Sequence, residues 1–569
     1  MEAYLVAVNS KFIHTAAAVR SLCRYINSKV NLDIDFGEYT INQNSDKVLM
    51  DLYIKQANIY GFSMYIFNLS YLMPVIMDLK KLYPDKIFFA GGPEVSYGTE
   101  DFLRKNKEVD FVICGEGEQT VLQFLTATKG LTCGQAKELL YYHPIPGVAF
   151  LRNGEYLYGG ENVPLCNLDE IPFLYTEDEL PQLKNRILYY ESSRGCPFHC
   201  SYCLSSREKG VRVLSLARVF SDLQKFLTAN VRLVKFVDRT FNFNKSRALE
   251  IWKFLREFDN GYTEFHFEIS AWLLDDECLT FLSSIRPGLF RFEIGIQSTN
   301  ERTLSAISRN VSYERIRNVL EKMRGINIPI HVDLIAGLPY ETYEIFKKSF
   351  NDAFSLKPNC LQLGFLKVLK GAPISMQQEY GYVFKSSPPY EVLYNRYITY
   401  KEIHILKRIE EVLELYYNAG ICAESLYIIC MQIFQADAFS FFEQFSEWLR
   451  DKQFFSVSHK VHNLFVYLYN FICLFMNRVD AEVLVAHDLL SFEKVAHLPE
   501  WFEVVQFDRD GLVDLLKTPD TIRALLLQND KILFDKMESK KWFRNAELVL
   551  YPAERRLYLY GEINKSYIV

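Results

Sequence analysis

Three cysteines stand close together in Arg194-Gly195-Cys196-Pro197-Phe198-His199-Cys200-Ser201-Tyr202-Cys203, spaced C-x3-C-x2-C directly after a strand-like segment. Three thiolates on one short loop suit three irons of a cubane [4Fe–4S] cluster and leave the fourth iron without a protein ligand. An open metal position is what catalysis requires and what a structural site closes off. The competing reading is a zinc site completed by His199 or a distant cysteine, but no second C-x2-C knuckle appears in the chain. The total of 12 cysteines is otherwise scattered singly, which is no disulfide framework for a chain of this length. In a reducing compartment a tight cysteine cluster points to metal or redox chemistry.

Other residues able to do chemistry fall at the ends of short apolar runs. Ser63, Gly91-Gly92-Pro93 and Gly115-Glu116-Gly117-Glu118 close three such runs in the first part of the chain. Paired glycines at strand ends let backbone pass close to a ligand, although tight strand-to-helix turns would use them too. Further along, Asp238-Arg239 follows the apolar run Leu233–Val237, and Glu268 and Gln297 stand in or just after two others. For Glu268 and Gln297 a satisfied polar place inside a barrel is the bland alternative. For Asp238 and Arg239 it is an internal salt bridge.

The elements that must position these residues are legible from periodicity. Tyr4–Val8, Ile59–Ser63, Ile87–Ala90 and Phe111–Cys114 read as strands, with helices over Ala16–Ile26 and Leu69–Leu82. Prolines and glycines punctuate 140–185 as in a hairpin and linker. Strand–helix alternation then resumes, with strands at Leu188–Tyr190, Leu233–Val237, Phe265–Ile269, Phe290–Ile296, Ile330–Ile335 and Leu361–Leu366. Six such units predict an incomplete barrel rather than the full eight-unit one. Past Pro373 long amphipathic patterns take over; Ile405, Ile409, Val412 and Tyr416 share a helical face, and Gly420 is placed to end that helix. The expected domains are 1–135, a hairpin and linker over 136–185, a partial barrel over 186–375 and a helical domain over 376–569.

Composition narrows the classes. The chain has 569 residues, 49% of them apolar and 24% charged, with a net charge of −6. Disordered, collagenous and coiled-coil chains are excluded, and no overall basic surface for nucleic acid is present. Aromatics make up 15% and call for large cores or a wide apolar cavity. The apolar run Leu464–Met476 contains Asn470 and falls short of the ~20 residues of a membrane span. Met1–Leu5 carries no charged leader or cleavage signature. The expected location is the cytoplasm, away from membranes.

The cysteine triplet, Phe265–Ser270, Phe292–Ser298 with Arg309 following, and His331–Pro339 occur in the order and spacing of the radical S-adenosylmethionine (SAM) superfamily, which 186–375 resembles. The resemblance implies that Cys196, Cys200 and Cys203 hold the cluster. It implies SAM contacts from Phe198, Glu268, Gln297, Arg309 and Asp333, and substrate or SAM contacts from Asp238 and Arg239. It further implies a 5′-deoxyadenosyl radical and an electron donor such as flavodoxin or ferredoxin. In front of such a barrel, the first domain resembles the Rossmann-like module of cobalamin-dependent radical SAM enzymes. That places Ser63, Gly91, Gly92, Pro93, Gly115, Glu116, Gly117 and Glu118 around cobalamin. A side chain at Gly92 or Gly117 would then be expected to intrude on the corrin. The D-x-H-x-x-G motif that supplies a lower axial histidine is missing, so a histidine-off state is expected, with His14 an ordinary polar loop residue.

The fold implied is α/β: a Rossmann-like cobalamin-binding domain, a partial (β/α)6 radical SAM barrel and a mostly α-helical C-terminal domain. The function implied is methylation of an unactivated carbon in a small-molecule or peptide substrate. A rearrangement, cyclisation or oxidation without methyl transfer needs the same cofactors in the same places. A tRNA methylthiotransferase would need a second cysteine triad and a basic tail, and a cobalamin-binding sensor would need no cysteine triplet.

Overall fold

The structure, a computed structural model, describes residues 2–207 and 210–492 and strands at 505–507, 547–551, 556–560 and 565–568. Contacts divide the chain into two units, Met1–Phe346 with Leu363–Tyr400, and Lys347–Gln362 with Lys401–Val569.

The first unit opens with a seven-stranded sheet of β1 (Ala3–Asn9), β2 (Ile34–Thr40), β3 (Ile59–Ser63), β4 (Ile87–Gly91), β5 (Phe111–Ile113), β6 (Val148–Arg152) and β7 (Glu155–Tyr158). Its order is β2-β1-β3-β4-β5-β6-β7. Strands β1 to β5 run parallel, and the β6–β7 hairpin adds to the edge antiparallel. The hairpin expected within 136–185 therefore extends this sheet. The order reverses between β1 and β3, and a ligand crevice is expected beyond the carboxyl ends of strands at such a switch point. Helices α1 (Ala17–Lys29), α2 (Ser45–Lys55), α3 (Leu69–Leu82), α4 (Thr99–Lys105) and α5 (Glu118–Ala127) connect these strands.

Strand β2 was not legible from apolar periodicity, because Asp35, Gly37 and Glu38 break its pattern at the sheet edge. Glu38 faces inward nonetheless. Its carboxylate accepts from the Ala16 amide and Arg20 Nε, both at 2.8 Å, and from Arg186 Nη1 at 2.9 Å. The Arg20 and Glu38 side chains are 5% and 7% exposed, so neither charge is screened by water.

The barrel sheet contains β8 (Ile187–Tyr190), β11 (Leu233–Phe236), β12 (Glu264–Glu268), β13 (Phe290–Gln297), β14 (Ile330–Ala336) and β15 (Cys360–Phe365), in that order across the sheet. A two-stranded ribbon, β9 (Ser193–Arg194) with β10 (Arg212–Val213), flanks the cysteine loop. All six expected barrel strands form. Their apolar residues point outward, where Phe236, Phe241, Phe267, Phe290 and Phe292 gather around Trp252. The alternate positions Lys235, His266, Glu268 and Glu293 face the other way. A parallel sheet with two buried faces normally reads apolar on both; polar residues on the inner face mark an interior that is not a packed core.

In the second unit, Tyr400–Val412 is α-helical and continues as a π-helical turn over Leu413–Asn418. Ile409, Val412 and Tyr416 are buried as expected, whereas Ile403 and Leu406 take the core places next to half-buried Ile405. Gly420 ends the segment at φ +69°. Helices Ala438–Asp451, Val461–Ile472 and Arg478–Phe492 follow, and Phe350 and Phe354 pack on this aromatic core. The helical expectation fails over 376–399, where a two-stranded ribbon, Val383–Phe384 with Val392–Tyr394, belongs to the first unit, and is met over Tyr400–Phe492; beyond it the described segments form a four-stranded antiparallel sheet. The parts of that expectation covering 493–504, 508–546, 552–555, 561–564 and 569 lie outside the described residues. Among the described residues no single helix is long and apolar enough to cross a membrane.

Glu38→Ala should destabilise the fold by about 3 kcal/mol, because it strips the nearest carboxylate from a buried Arg20. Denaturant unfolding of the two proteins measures this, and Glu38→Gln, which keeps the hydrogen-bond acceptor, should lose less.

Candidate cofactor and substrate cavity

A cavity of about 690 Å³ lies within the first unit, walled on one side by the carboxyl ends of β1, β3, β4 and β5 and on the other by those of β8, β11 and β12. Ser63, Gly91, Gly92, Gly115, Glu116, Gly117 and Glu118 line it from the first sheet, and Arg239 and Glu268 line it from the barrel. Pro93 is not among the lining residues.

The glycines divide into two kinds. A Cβ on Gly91 would meet only Ile113, at 3.7 and 3.8 Å, which is ordinary contact, so Gly91 opens onto the cavity. Gly92 has φ +112°, and a Cβ there would lie 2.5 Å from the Met64 carbonyl oxygen. This corrects the expectation for Gly92, whose glycine is demanded first by the strand-end turn. A Cβ on Gly117 would press Leu22 Cδ2 at 2.9 Å, a flexible side chain that can move.

Glu116 and Glu118 line the cavity with their carboxylates already paired to arginines. Arg194 donates Nη1 to Glu116 at 3.0 Å, Nη2 to Glu118 at 2.7 Å and Nε to Glu191 at 2.7 Å. Arg212 holds Glu116 as well. Glu118 is 4% exposed and takes a further hydrogen bond from Ser21 at 2.8 Å. Burial raises the Glu118 carboxyl, but Arg194 outweighs burial and keeps it below the usual range. The expectation for Asp238 is corrected. It is 1% exposed and does not line the cavity; it accepts from the Ser192 amide at 3.0 Å, from Ser192 Oγ at 2.7 Å and from Ser193 Oγ. Its work is to hold the two residues that lead into Arg194 and the cysteine loop.

In that loop the Cys196 thiol lies 3.7 Å from Thr240 Oγ1, and Cys200 accepts from Arg309 Nη1 at 3.8 Å. Burial raises the Cys196 thiol, and the charges of Cys203 and Cys200 also act on it. Among the described residues no three His, Cys, Asp or Glu side chains converge on a single ion. A cubane asks for something different, because its three thiolates bind three separate irons. Phe198 packs on Trp272 with ring centroids 5.4 Å apart, and the Arg309 guanidinium lies over the same indole at 4.9 Å.

Gln297 sits at φ +71°, where the pairing of β13 with β14 shifts register after Gly295. Arg309 Nη2 donates to the Gly295 carbonyl, and Gln297 covers Gly295 so closely that a Cβ there would collide with it. Gln297 Oε1 and Arg309 Nε are buried without a hydrogen-bond partner. Buried polar atoms are rarely left so, and two beside the cysteine loop fit a polar ligand bound there. Asp333 lies on β14 with Oδ1 3.1 Å from His331 Nε2.

Residues missed from sequence support the barrel side of the cavity, where Lys235 joins the lining and His266 and Glu293 stand behind it. Lys235 Nζ contacts Glu293 Oε2 at 2.9 Å, and His266 Nε2 lies 3.2 Å from the same oxygen. Burial raises Glu293, yet His266 and Lys235 outweigh it and hold the carboxyl at about 2. Glu268, on the neighbouring strand, is pushed up to about 7 by burial and by the Glu293 charge. The signal was available as polar residues alternating with Phe and Val in β11, β12 and β13. His14 also lines the cavity, with Nδ1 2.8 Å from the Tyr189 hydroxyl.

A nucleotide-binding type of sheet at its switch point, facing a partial barrel that carries a cysteine triad, defines a cobalamin-binding module joined to a radical SAM core. Residues 4–125 match the B12 binding domain, 190–353 the Radical SAM superfamily, and 378–554 a family described as a protein of unknown function (DUF4080). The first two matched regions make the pairing of a cobalamin-dependent radical SAM enzyme, and the cofactors are a [4Fe–4S] cluster, SAM and cobalamin. It is 25% identical over 356 residues to the cobalamin-dependent radical SAM methyltransferase TokK of Streptomyces tokunonensis, covering 57% of this chain and 49% of that protein. It is 25% identical over 312 residues to the anaerobic magnesium-protoporphyrin IX monomethyl ester cyclase of a Synechocystis species, covering 52% and 58%. The chain thus spans about half the length of curated relatives it matches. Its fold is like that of the radical enzyme OxsB with aqua-cobalamin bound, with a TM-score of 0.59 at 14% identity over 86% of this chain and 79% of that one.

Gly91→Val should narrow the cavity without straining the backbone. Cobalamin affinity should fall roughly tenfold, about 1.4 kcal/mol, while iron content is unchanged; equilibrium dialysis and iron analysis read the two. In protein free of SAM, Glu268 carries a raised folded-state pKa of about 7, so folding loses stability as pH rises from about 4.5 to 7 and stays lowered above that. Glu268→Gln should therefore raise the melting temperature at pH 8 and leave it nearly unchanged at pH 4.5, by scanning calorimetry.

Proposed function

We propose that this chain methylates an unactivated carbon of a small-molecule or peptide substrate. The observation that carries the reading is the single cavity shared by the glycine loops of the first sheet and the polar strand ends of the barrel. The relation to TokK, a named cobalamin-dependent methyltransferase, supports it. When bound, the cluster and SAM supply a radical able to take hydrogen from carbon, and cobalamin supplies the methyl group.

The chain's own residues bind and orient. Cys196, Cys200 and Cys203 would hold three irons. Phe198, Gln297, Arg309, Asp333 and Glu268 would hold SAM, with the unpartnered Gln297 Oε1 and Arg309 Nε receiving its polar groups. Ser63, Gly91, Gly92, Gly115 and Gly117 would form the cobalamin cradle. Trp272, sandwiched against Phe198 and Arg309, would keep water from the cluster side. An electron donor of the flavodoxin or ferredoxin class fits the cluster's need for a low-potential electron. All twelve cysteines are free, which fits a reducing cytoplasm.

A second reading, cyclisation or oxidation without methyl transfer, is favoured by the relation to the Synechocystis cyclase. It is also favoured by Glu268, whose carboxyl near 7 suits proton transfer at neutral pH. Anaerobically reconstituted protein given SAM labelled in its methyl group separates the two readings, since only the first puts label into product carbon. Replacing Cys196, Cys200 and Cys203 together with Ala should abolish the iron–sulfur absorbance and SAM cleavage. Cleavage retained in that variant would overturn the assignment of the cluster. Failure of the purified chain to take up cobalamin would overturn the methyl-transfer reading.

A further inference from the structure

Four cationic side chains line the cavity: Arg194, Arg218, Lys235 and Arg239. Three have carboxylates to answer them. Arg194 is enclosed by Glu116, Glu118 and Glu191; Arg218 Nε meets Asp222 at 2.8 Å; Lys235 meets Glu293 at 2.9 Å. Among the described residues the Arg239 guanidinium enters no ion pair and no hydrogen bond, and its side chain is exposed. The nearby acid, Glu268, holds its proton up to about neutrality and so neutralises Arg239 only in part.

Arg239 is also positioned. Asp238, on one side, is caged by Ser192 and Ser193; Thr240, on the other, donates to the Arg239 carbonyl at 2.8 Å and touches Cys196. The backbone carrying the guanidinium is therefore fixed to the cysteine loop, at the carboxyl-end rim from which barrel enzymes draw their ligand contacts. A guanidinium is a planar fork of donors whose shape matches a carboxylate or phosphate, and inside a cavity its charge is less screened than on an open surface.

We propose that Arg239 anchors an oxyanion, a carboxylate or phosphate, of the substrate, so that the molecule processed here is an organic acid or phosphate ester. This rests on the reading of the cavity as the reaction site. An oxyanion is also present in SAM, as its carboxylate, and in cobalamin, as its phosphodiester, and the test separates these sources.

The protein loaded with cluster, cobalamin and SAM is treated with phenylglyoxal, and modified arginines are identified by peptide mass spectrometry. Arg239 should react and Arg194, with each of its three guanidinium nitrogens bonded to a carboxylate, should not. Inorganic phosphate or acetate should then slow Arg239 modification by roughly tenfold at ten times the dissociation constant, as mass action requires. Arg239→Gln should keep its cobalamin and iron content. Protection of Arg239 by cobalamin alone or by SAM alone would overturn the proposal, since the anion would be theirs, and so would modification that neither phosphate nor acetate slows. Cobalamin uptake is followed separately by its visible absorbance. Its failure would sink the methyl-transfer reading while anion protection of Arg239 still reported on the anchor.

Discussion

The enclosure of Arg194 by three carboxylates is the constraint on which the site depends. Two of these, Glu116 in the loop after β5 and Glu118 at the start of α5, come from the first sheet's side, and Arg194 lies two residues before Cys196. One guanidinium therefore joins the loop on the first sheet's side of the cavity to the loop that would hold the cluster. Charge-assisted contacts at 2.7–3.0 Å have little freedom of angle, so they set the separation of the two walls as well as their attraction. Glu118 is nearly buried, so loss of Arg194 would leave a charge without compensation, a far larger penalty than loss of a surface pair. Gly195 follows at φ +100° and packs against the Gly210 carbonyl, which lets the chain turn sharply from the clamp into the first cysteine.

The second organising feature is the division of the barrel strands into two faces. Outward positions carry Phe, Ile and Val and make the core with the helices. Inward positions carry Lys235, His266, Glu268 and Glu293, which would be costly in a sealed interior. Lys235, His266 and Glu293 answer one another, and that arrangement holds Glu293 ionised at about 2 while its charge helps to push Glu268 towards 7. Two like residues on adjacent strands, paired in register, thus have opposite protonation behaviour at neutral pH. One is spent on structure and the other is left available to a ligand. Arg239 stands in the same relation to Arg194, as an unanswered charge beside an answered one.

The sequence by itself determined the strand and helix order of the barrel, the cysteine triplet, and the glycine-ended strands of the first sheet. These features are local: periodicity, spacing and glycine are written within a few residues of one another. Strand β2 escaped because an edge strand need not be apolar on both faces, and Glu38 earns its burial only from Arg20 and Arg186, which are distant in the chain. The roles of Glu116, Glu118 and Asp238 escaped for the same reason. A carboxylate at a strand end reads alike whether it awaits a ligand or is consumed by an arginine or a pair of serines far along the chain. Which charges cancel, which polar atoms stay unpartnered, and hence which residues remain for chemistry, was decided only by tertiary structure, because Coulomb and hydrogen-bond energies depend on distance in space and not on separation in sequence.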